Sequence, residues 1–232
     1  MTPLIPHIEL VTGADPRGTV IWMHGLGADC WDFVSIVKEL DLPDDLPLRF
    51  IFPQAPSRPI SINGGQVMPG WYDISMADLQ DGPTRKADEG GVRASQSLVD
   101  ALIAREATRG IASDRVVIAG FSQGGAIALQ TGLRYPQPLA GILALSTYLT
   151  LDASLDAERT AVNANIPILM AHGTQDPVVP LPLARTSRNK LEAIGYKVEW
   201  REYPMQHSVC MEEIAEIGAW LKKRYGSPIL LP

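Results

Sequence analysis

Apolar segments that suit buried strands alternate along this chain with segments whose apolar residues recur at helical spacing. Residues 19–24 are apolar on both faces, which is typical of a strand covered by helices on each side. Residues 88–110 instead carry their apolar side chains on one helical face, between Asp88 as a cap and Gly110 as a stop. Alternation of this kind predicts parallel βαβ units, and therefore one mostly parallel sheet with helices on both faces.

The same pattern extends over the whole chain, so we expect residues 1–232 to form a single α/β domain. Strands are predicted at 8–11, 19–24, 48–52, 116–118, 141–145, 167–172 and 197–203, and helices over 31–40, 88–110, 126–133, 183–194 and 209–224.

Residues 53–87 show almost no periodicity, because prolines and glycines interrupt them throughout. A connection of this length is uncommon in a compact domain unless it forms a lid, a binding wall or a disordered linker. This segment also carries Met68, Trp71 and Tyr72, and such apolar side chains are unusual in disordered chains. We therefore predict an irregular wall or lid over a site.

The stretch 116–134 changes from a β-branched apolar run to a helical pattern within a few residues. Between the two lies Gly120-Phe121-Ser122-Gln123-Gly124, a G-x-S-x-G pattern. A strand that turns this sharply into a helix lifts the side chain at the bend clear of the sheet, and small neighbours are needed on either side. Ser122 is therefore the candidate nucleophile, against the alternative of a plain glycine-rich turn.

Composition and charge narrow the class of function. The net charge of −6 argues against nucleic acid or an anionic membrane as the main partner. No segment approaches the length of a membrane span, so stable membrane insertion is not expected, and no signal peptide is visible. Two cysteines, Cys30 and Cys210, form neither a disulfide framework nor a metal motif, which fits the cytoplasm.

A serine hydroxyl needs a base to remove its proton as it attacks, and the base needs a carboxylate to fix its tautomer. Asp176 follows a predicted buried strand, and His207 lies between the last predicted strand and the last helix. The order Ser122, Asp176, His207 is that of α/β-hydrolases. These three residues are the predicted catalytic set.

Each partner of Ser122 has rivals. His7 is expected at the surface, His24 is expected to order its own loop, and His172 is expected to be a satisfied buried histidine. Asp152 and Asp156 are the alternative acids, but they fall in a turn-rich loop without a preceding strand.

Attack on a carbonyl produces an oxyanion that needs two N–H donors. In the hydrolase pattern one donor belongs to the residue after the nucleophile and the other to an early strand–helix loop. Those positions are Gln123 and Leu26.

The chain resembles the phospholipase/carboxylesterase family of α/β-hydrolases, which includes acyl-protein thioesterases and small bacterial carboxylesterases. The resemblance is carried by HGLGAD at 24–29, PGWYDI at 69–74, GFSQGGAIAL at 120–129, HGTQDPVVP at 172–180, and His207 followed by Ser208.

This resemblance implies a serine hydrolase without metal or cofactor that cleaves esters or thioesters of acyl groups. It also implies an acyl wall from residues 67–76, here Met68 and Trp71, joined by Val179. Some members are dimers, so a homodimer is one possible state of this chain.

One departure from the family pattern is Gln206, where the family often has glycine. If the position needs a positive φ, the His207 loop would be strained.

The expected function is a serine carboxylesterase that hydrolyses esters of short-to-medium acyl chains through an acyl-enzyme on Ser122. The alternative is an acyl-protein thioesterase or a lysophospholipase that uses the same residues. A third hypothesis from another class is a ligand-binding module without turnover, which is disfavoured because all three candidate residues are present.

Overall fold

The computed structural model describes residues 4–79 and 87–226. The strands in these residues are β1 (His7–Val11), β2 (Thr19–Met23), β3 (Arg49–Pro53), β4 (Ser57–Ile60), β5 (Gln66–Pro69), β6 (Val116–Phe121), β7 (Gly141–Leu145), β8 (Ile168–Gly173) and β9 (Val198–Tyr203). The α-helices are α1 (Glu89–Thr108), α2 (Gln123–Arg134), α3 (Leu155–Glu158), α4 (Leu181–Ala193) and α5 (Met211–Tyr225).

Seven of these strands form one sheet in the order β1-β3-β2-β6-β7-β8-β9. Only β1, at one edge, runs antiparallel to its neighbour, and every other pairing is parallel. The predicted α/β-hydrolase architecture is therefore confirmed. Because the central strands are parallel, the loops that follow them gather at one edge of the sheet, where ligands of such folds bind.

Alternate residues of the central strands enter two separate apolar layers. In β6, Val116 and Ile118 pack with α1 and α2, whereas Val117 and Ala119 pack with α5. Both faces of the sheet are thus covered, which explains why these strands are apolar at every position. Asp88 caps α1 as predicted, since its carboxylate accepts a hydrogen bond from the Gly91 N–H at 2.9 Å.

Two expectations are corrected. The helical spacing over 31–40 yields a 3-10 helix at Val34–Leu40, and Trp31 lies outside it with 63% of its surface exposed. The segment 53–87 is not irregular throughout, because β4 and β5 pair as an antiparallel hairpin within it. Residues 80–86 and the tail from Ser227 lie outside the described residues, so a domain over all of 1–232 and a moving lid stay predictions.

Within the described ranges, no helix is long and apolar enough to cross a membrane. Those same ranges contain no group of three or more His, Cys, Asp or Glu side chains arranged to hold a metal ion.

One buried carboxyl group should affect stability. Glu213, in the first turn of α5, is 1% exposed. Burial raises the pKa of Glu213 to about 8, because no cation pairs with its carboxylate in the part of the chain that the structure describes. The folded protein therefore holds a proton on Glu213 across a pH range in which the unfolded chain has already lost it.

This linkage predicts that stability falls as the pH rises. Between the unfolded pKa of about 4.5 and the folded pKa of about 8, the folded state binds more protons than the unfolded state, so the free energy of unfolding decreases with pH. We expect Glu213→Gln to remove this decrease and to stabilise the protein by a few kcal/mol above pH 8. Urea denaturation at one-unit pH intervals measures the effect.

The control is Glu212→Gln, at the exposed neighbouring position, which should keep the wild-type pH dependence. An identical pH dependence for wild type and Glu213→Gln would contradict the assignment.

Candidate active site

The turn between β6 and α2 holds Ser122 in a strained conformation. Its φ of 55° and ψ of −120° lie outside the regions that residues with a Cβ usually adopt. The turn leaves no room for a side chain at either of its glycines. A Cβ on Gly120 would lie 2.2 Å from the backbone of Gly124, and a Cβ on Gly124 would lie 2.4 Å from the Met23 carbonyl oxygen. Glycine at both positions therefore permits the bend predicted at Ser122.

His207 and Asp176 meet at the same edge of the sheet, although 31 residues separate them. The Nδ1–H of His207 donates a hydrogen bond to Asp176 Oδ2 at 2.7 Å. Asp176 follows β8 and His207 follows β9, which are neighbouring parallel strands, so their carboxyl ends bring the two side chains together. The bond leaves Nε2 of His207 as the nitrogen that is free to accept a proton.

The carboxylate of Asp176 is fully buried and yet stays charged. Burial by itself would raise the pKa of Asp176, but hydrogen bonds from His207 and from the backbone N–H groups of Val179 and Val178 hold it below its ordinary value. Both backbone donors reach Oδ1, at 2.9 and 2.8 Å. Asp176 therefore presents a fixed negative charge to the imidazole.

Ser122 and His207 line one cavity of about 410 Å³. Within the described residues no hydrogen bond joins the Ser122 hydroxyl to the His207 ring; such bonds are often long in unliganded enzymes and tighten when substrate binds. The ring of Phe121 packs against the ring of His207 with 4.7 Å between their centroids. This contact fixes the imidazole from the side of the Ser122 turn.

Apart from a few polar side chains, this cavity is lined by apolar residues; we call it the acyl pocket for the role proposed below. Its wall combines residues from the loop after β2, from the segment 53–79, and from the loops after β7 and β8. The apolar and aromatic lining residues are Leu26, Ile62, Tyr72, Ile74, Leu79, Phe121, Tyr148, Val178 and Val179.

The three predicted wall residues occupy different places. Val179 lines the acyl pocket, as expected. Trp71 does not line it; the side chain is completely buried behind the wall, where its Nε1–H donates to the His24 carbonyl oxygen at 2.9 Å. Met68 is half-buried and packs against the cluster of apolar residues that supports the wall. Both residues are therefore corrected from lining residues to supporting residues.

Leu26 and Gln123, the predicted oxyanion donors, both line the cavity that holds Ser122. Gln123 is the first residue of α2, and the first N–H groups of a helix have no partner within it. The loop of Leu26 is fixed on its far side, since the Gly27 N–H donates to the Pro69 carbonyl oxygen at 2.8 Å.

The other histidines have partners that suit structural roles. His24 Nδ1–H donates to the Gly25 carbonyl oxygen and Nε2 accepts from the Ala55 N–H, so this ring orders its own loop. His172 donates to the Val179 carbonyl oxygen at 2.9 Å. Burial lowers the pKa of both rings. His7 is half-buried beside Arg105 and not at the surface as expected, because β1 packs its side chain against α1.

The alternative acids lie in ion pairs on the surface. Asp152 pairs with Lys190 at 3.1 Å, and Asp156 pairs with Arg159 at 3.6 Å. Neither of them lines the acyl pocket.

Comparison with known proteins identifies the family. The family model described as Phospholipase/Carboxylesterase matches residues 7–225. The chain belongs to this family. Its similar relatives include acyl-protein thioesterase 1 of Neurospora crassa, 43% identical over 224 residues that cover 94% of this chain and 91% of that protein. Acyl-protein thioesterase 1 of Gibberella zeae is 39% identical over 211 residues, covering 89% and 90%.

Solved structures of family members have the same fold. SOBER1 of Arabidopsis thaliana has a TM-score of 0.82 at 29% identity and covers 89% of this chain and 98% of its own. Acyl-protein thioesterase 2 of Zea mays has a TM-score of 0.82 at 26% identity, covering 96% and 100%. The chain is thus an ester-hydrolysing enzyme of the phospholipase/carboxylesterase family, as the motifs indicated.

Gln206, where the family often has glycine, does not strain the backbone. Gln206 is not among the non-glycine residues with positive φ. The tight contact lies instead at Gly173, where a Cβ would meet the Gln206 and Met205 carbonyl oxygens at 2.4 Å. A glycine is therefore needed at the end of β8 rather than before the histidine.

Sequence reasoning missed the Tyr72–Tyr148 pair in the pocket wall, where the two hydroxyls lie 3.0 Å apart and are buried. A signal for Tyr148 was available, because this residue follows the carboxyl end of β7. Ile62 and Leu79 carried no such signal, because their segment has no periodicity.

The side chain of Gln123 connects the pocket wall to the Ser122 turn. Its Oε1 accepts from the Trp71 N–H at 2.6 Å, and its Nε2 donates to the Tyr72 carbonyl oxygen at 2.7 Å. We expect Gln123→Leu to destabilise the protein by about 2–5 kcal/mol, because two buried backbone groups lose their partners. Urea denaturation measures the loss, and amide hydrogen exchange at Trp71 should become faster.

The matched control is Gln137→Leu, at an exposed position, which should change the stability by less than about 0.5 kcal/mol. Equal stabilities of the two variants would show that the Gln123 contacts do not hold the wall.

Proposed function

We propose that the protein hydrolyses esters and thioesters of short-to-medium acyl chains through an acyl-enzyme on Ser122, with His207 as the base and Asp176 as its orienting carboxylate. The observation that carries the proposal is the 2.7 Å hydrogen bond between His207 and Asp176 at the cavity where the strained Ser122 is held. A charged, buried carboxylate on Nδ1 leaves Nε2 as the nitrogen available to take the proton of the nucleophile.

In the first half-reaction, Ser122 Oγ attacks the acyl carbonyl carbon while His207 takes the hydroxyl proton. The negative charge that develops on the carbonyl oxygen is stabilised by the N–H groups of Leu26 and Gln123. The intermediate then collapses: the bond from the carbonyl carbon to the leaving sulfur or oxygen breaks, and His207 returns the proton to that atom. Water, activated by the same ring, releases the acyl group.

The acyl pocket supports an apolar chain as the acyl portion of the substrate. Its volume of about 410 Å³ lies within the range of small-molecule sites, and its lining is chiefly aliphatic and aromatic. Burial of each methylene group contributes about 0.8 kcal/mol. Chain length should therefore control kcat/KM until the pocket is full.

The relatives named acyl-protein thioesterase support sulfur esters as substrates of this chain as well. The chemistry is shared, because a thiolate is a better leaving group than an alkoxide and needs no additional catalytic residue. The same residues would also act on a lysophospholipid, whose leaving atom is oxygen. Oxygen and sulfur esters of the same acyl group should therefore be compared.

The nucleophile assignment predicts that Ser122→Ala loses hydrolysis of a nitrophenyl butanoate by roughly 10⁴–10⁶ in kcat, because the members of such a set act as a unit. His207→Ala should lose a comparable factor. A fluorophosphonate should label the wild type and not Ser122→Ala, which mass spectrometry of the intact protein measures.

Ser97→Ala provides the control, since this serine lies on the exposed side of α1 and, among the residues that the structure describes, its hydroxyl bonds only to the Arg93 carbonyl oxygen. It should keep both labelling and turnover. Retained turnover in Ser122→Ala would refute the proposed mechanism.

The pocket predicts an optimum of chain length. Across acyl groups from acetyl to palmitoyl, offered as oxygen and sulfur esters, kcat/KM should rise by about fourfold per added methylene and then level off or fall at medium length. Ile62→Trp, which adds volume to the pocket wall, should move the optimum to shorter chains. Val162→Trp, at an exposed position that does not line the pocket, should not. A flat profile, or the same shift in both variants, would contradict the assignment of the acyl pocket.

A further inference from the structure

A second cavity meets the acyl pocket at His207. It has a volume of about 430 Å³ and shares Asp32, Phe121 and His207 with the acyl pocket. Its remaining wall comes from the 3-10 helix Val34–Leu40 and from the residues around the start of α5. We call it the His207 groove and define it by Asp32, Ile36, Glu39, Phe121, His207 and Val209.

The proposed chemistry gives this groove a role. When the tetrahedral intermediate collapses, the leaving atom must lie next to the ring of His207, because that ring returns the proton to it. The acyl chain occupies the acyl pocket at that moment. Whatever is attached to the leaving atom must therefore extend away from the acyl pocket past His207, and the groove that shares His207 is the space on that side.

Two acidic side chains of the groove lack a cationic partner in the part of the chain that the structure describes. Asp32 and Glu39 both line it, and within the described residues neither side chain forms an ion pair. No lysine or arginine is among the residues that line it; Lys38 belongs to the same 3-10 helix but is not part of the lining.

By contrast, Glu158 lies between Arg93 and Arg134, and Glu202 pairs with Arg185. Burial raises the pKa of Asp32, which fits a carboxylate that lacks a cationic partner. The groove therefore combines an apolar floor, from Phe33 and Ile36, with two acidic groups whose charge is not compensated.

We infer that the His207 groove binds the leaving-group side of the substrate and selects an acylated peptide with lysine or arginine next to the acylated residue. This inference rests on the proposed function, and it names the substrate class on the side that the acyl pocket does not contact. An anionic phospholipid head group fits less well, because its uncompensated phosphate would lie near two carboxylates. Complementary charge at the rim of a site raises the association rate and the specificity more than it raises the affinity.

The test compares three octanoyl-cysteine peptides that differ only in the two residues flanking the cysteine: lysine, serine or glutamate. At low ionic strength the wild type should hydrolyse the lysine peptide about 5–20-fold faster in kcat/KM than the glutamate peptide, the size expected for two partly exposed charge pairs. The preference should shrink as salt is added, because salt screens exposed charges. The double variant Asp32→Asn/Glu39→Gln should bring the ratio close to one.

The matched control is Asp114→Asn/Glu192→Gln, which removes the same charge from exposed positions at the opposite edge of the sheet, before β6 and at the end of α4. It should keep the wild-type ratio. A wild type without preference, an unchanged ratio in Asp32→Asn/Glu39→Gln, or the same loss in the control would overturn the inference. Faster hydrolysis of an anionic octanoyl lysophosphatidylglycerol than of the lysine peptide would also overturn it, because the groove would then accept a negatively charged phosphate.

A binding measurement separates this inference from the proposed function. Ser122→Ala is mixed with fluorescent lysine and glutamate peptides that carry the octanoyl group on a stable amide, and fluorescence anisotropy measures Kd. Tighter binding of the lysine peptide, lost in the background of Asp32→Asn/Glu39→Gln, supports the groove even if no acyl substrate is turned over. Equal Kd values refute it even if Ser122 proves to be the nucleophile.

Discussion

The strained turn at Ser122 is the constraint on which the site depends. A residue with a Cβ at φ 55° and ψ −120° costs roughly 1–3 kcal/mol, and it persists only where its surroundings hold it. Here the Ser122 N–H donates to the Leu145 carbonyl oxygen at 2.8 Å, and the Thr147 hydroxyl donates to the Ser122 carbonyl oxygen at 2.6 Å. The neighbouring strand and its loop therefore stabilise the turn that the glycines on either side make sterically possible.

The same turn also determines the position of the pocket wall. Gln123, one residue after the bend, binds the backbone of Trp71 and Tyr72, and the Trp71 indole binds the His24 carbonyl oxygen. Residues that lie far apart in the sequence are thus connected through one buried polar network, in which each backbone group has a partner. As a consequence, the wall of the acyl pocket and the Ser122 turn are rigidly connected, and loosening of the wall should also disturb the proposed reaction.

Local pattern was sufficient to predict the seven-stranded sheet, the helices α1, α2, α4 and α5, and the strand-end positions of Ser122, Asp176 and His207, because each of these follows from periodicity, caps and strand ends. It was insufficient for the wall. Trp71 was expected to line the pocket, yet its burial depends on contacts with His24 and Gln123 that no local pattern encodes. The hairpin of β4 and β5 was missed for a related reason, since Pro59 and Pro69 interrupt any strand pattern.

The central claim is that Ser122 carries the acyl group during turnover. The most direct test is to quench the enzyme within the first turnovers of an octanoyl ester and map the acyl group by peptide mass spectrometry. Cleavage after Arg115 and Arg134 releases residues 116–134, in which Ser122 is the only serine. We expect an octanoyl adduct on Ser122 of that peptide, and no such adduct in His207→Ala. Turnover accompanied by an adduct on a different residue would contradict it.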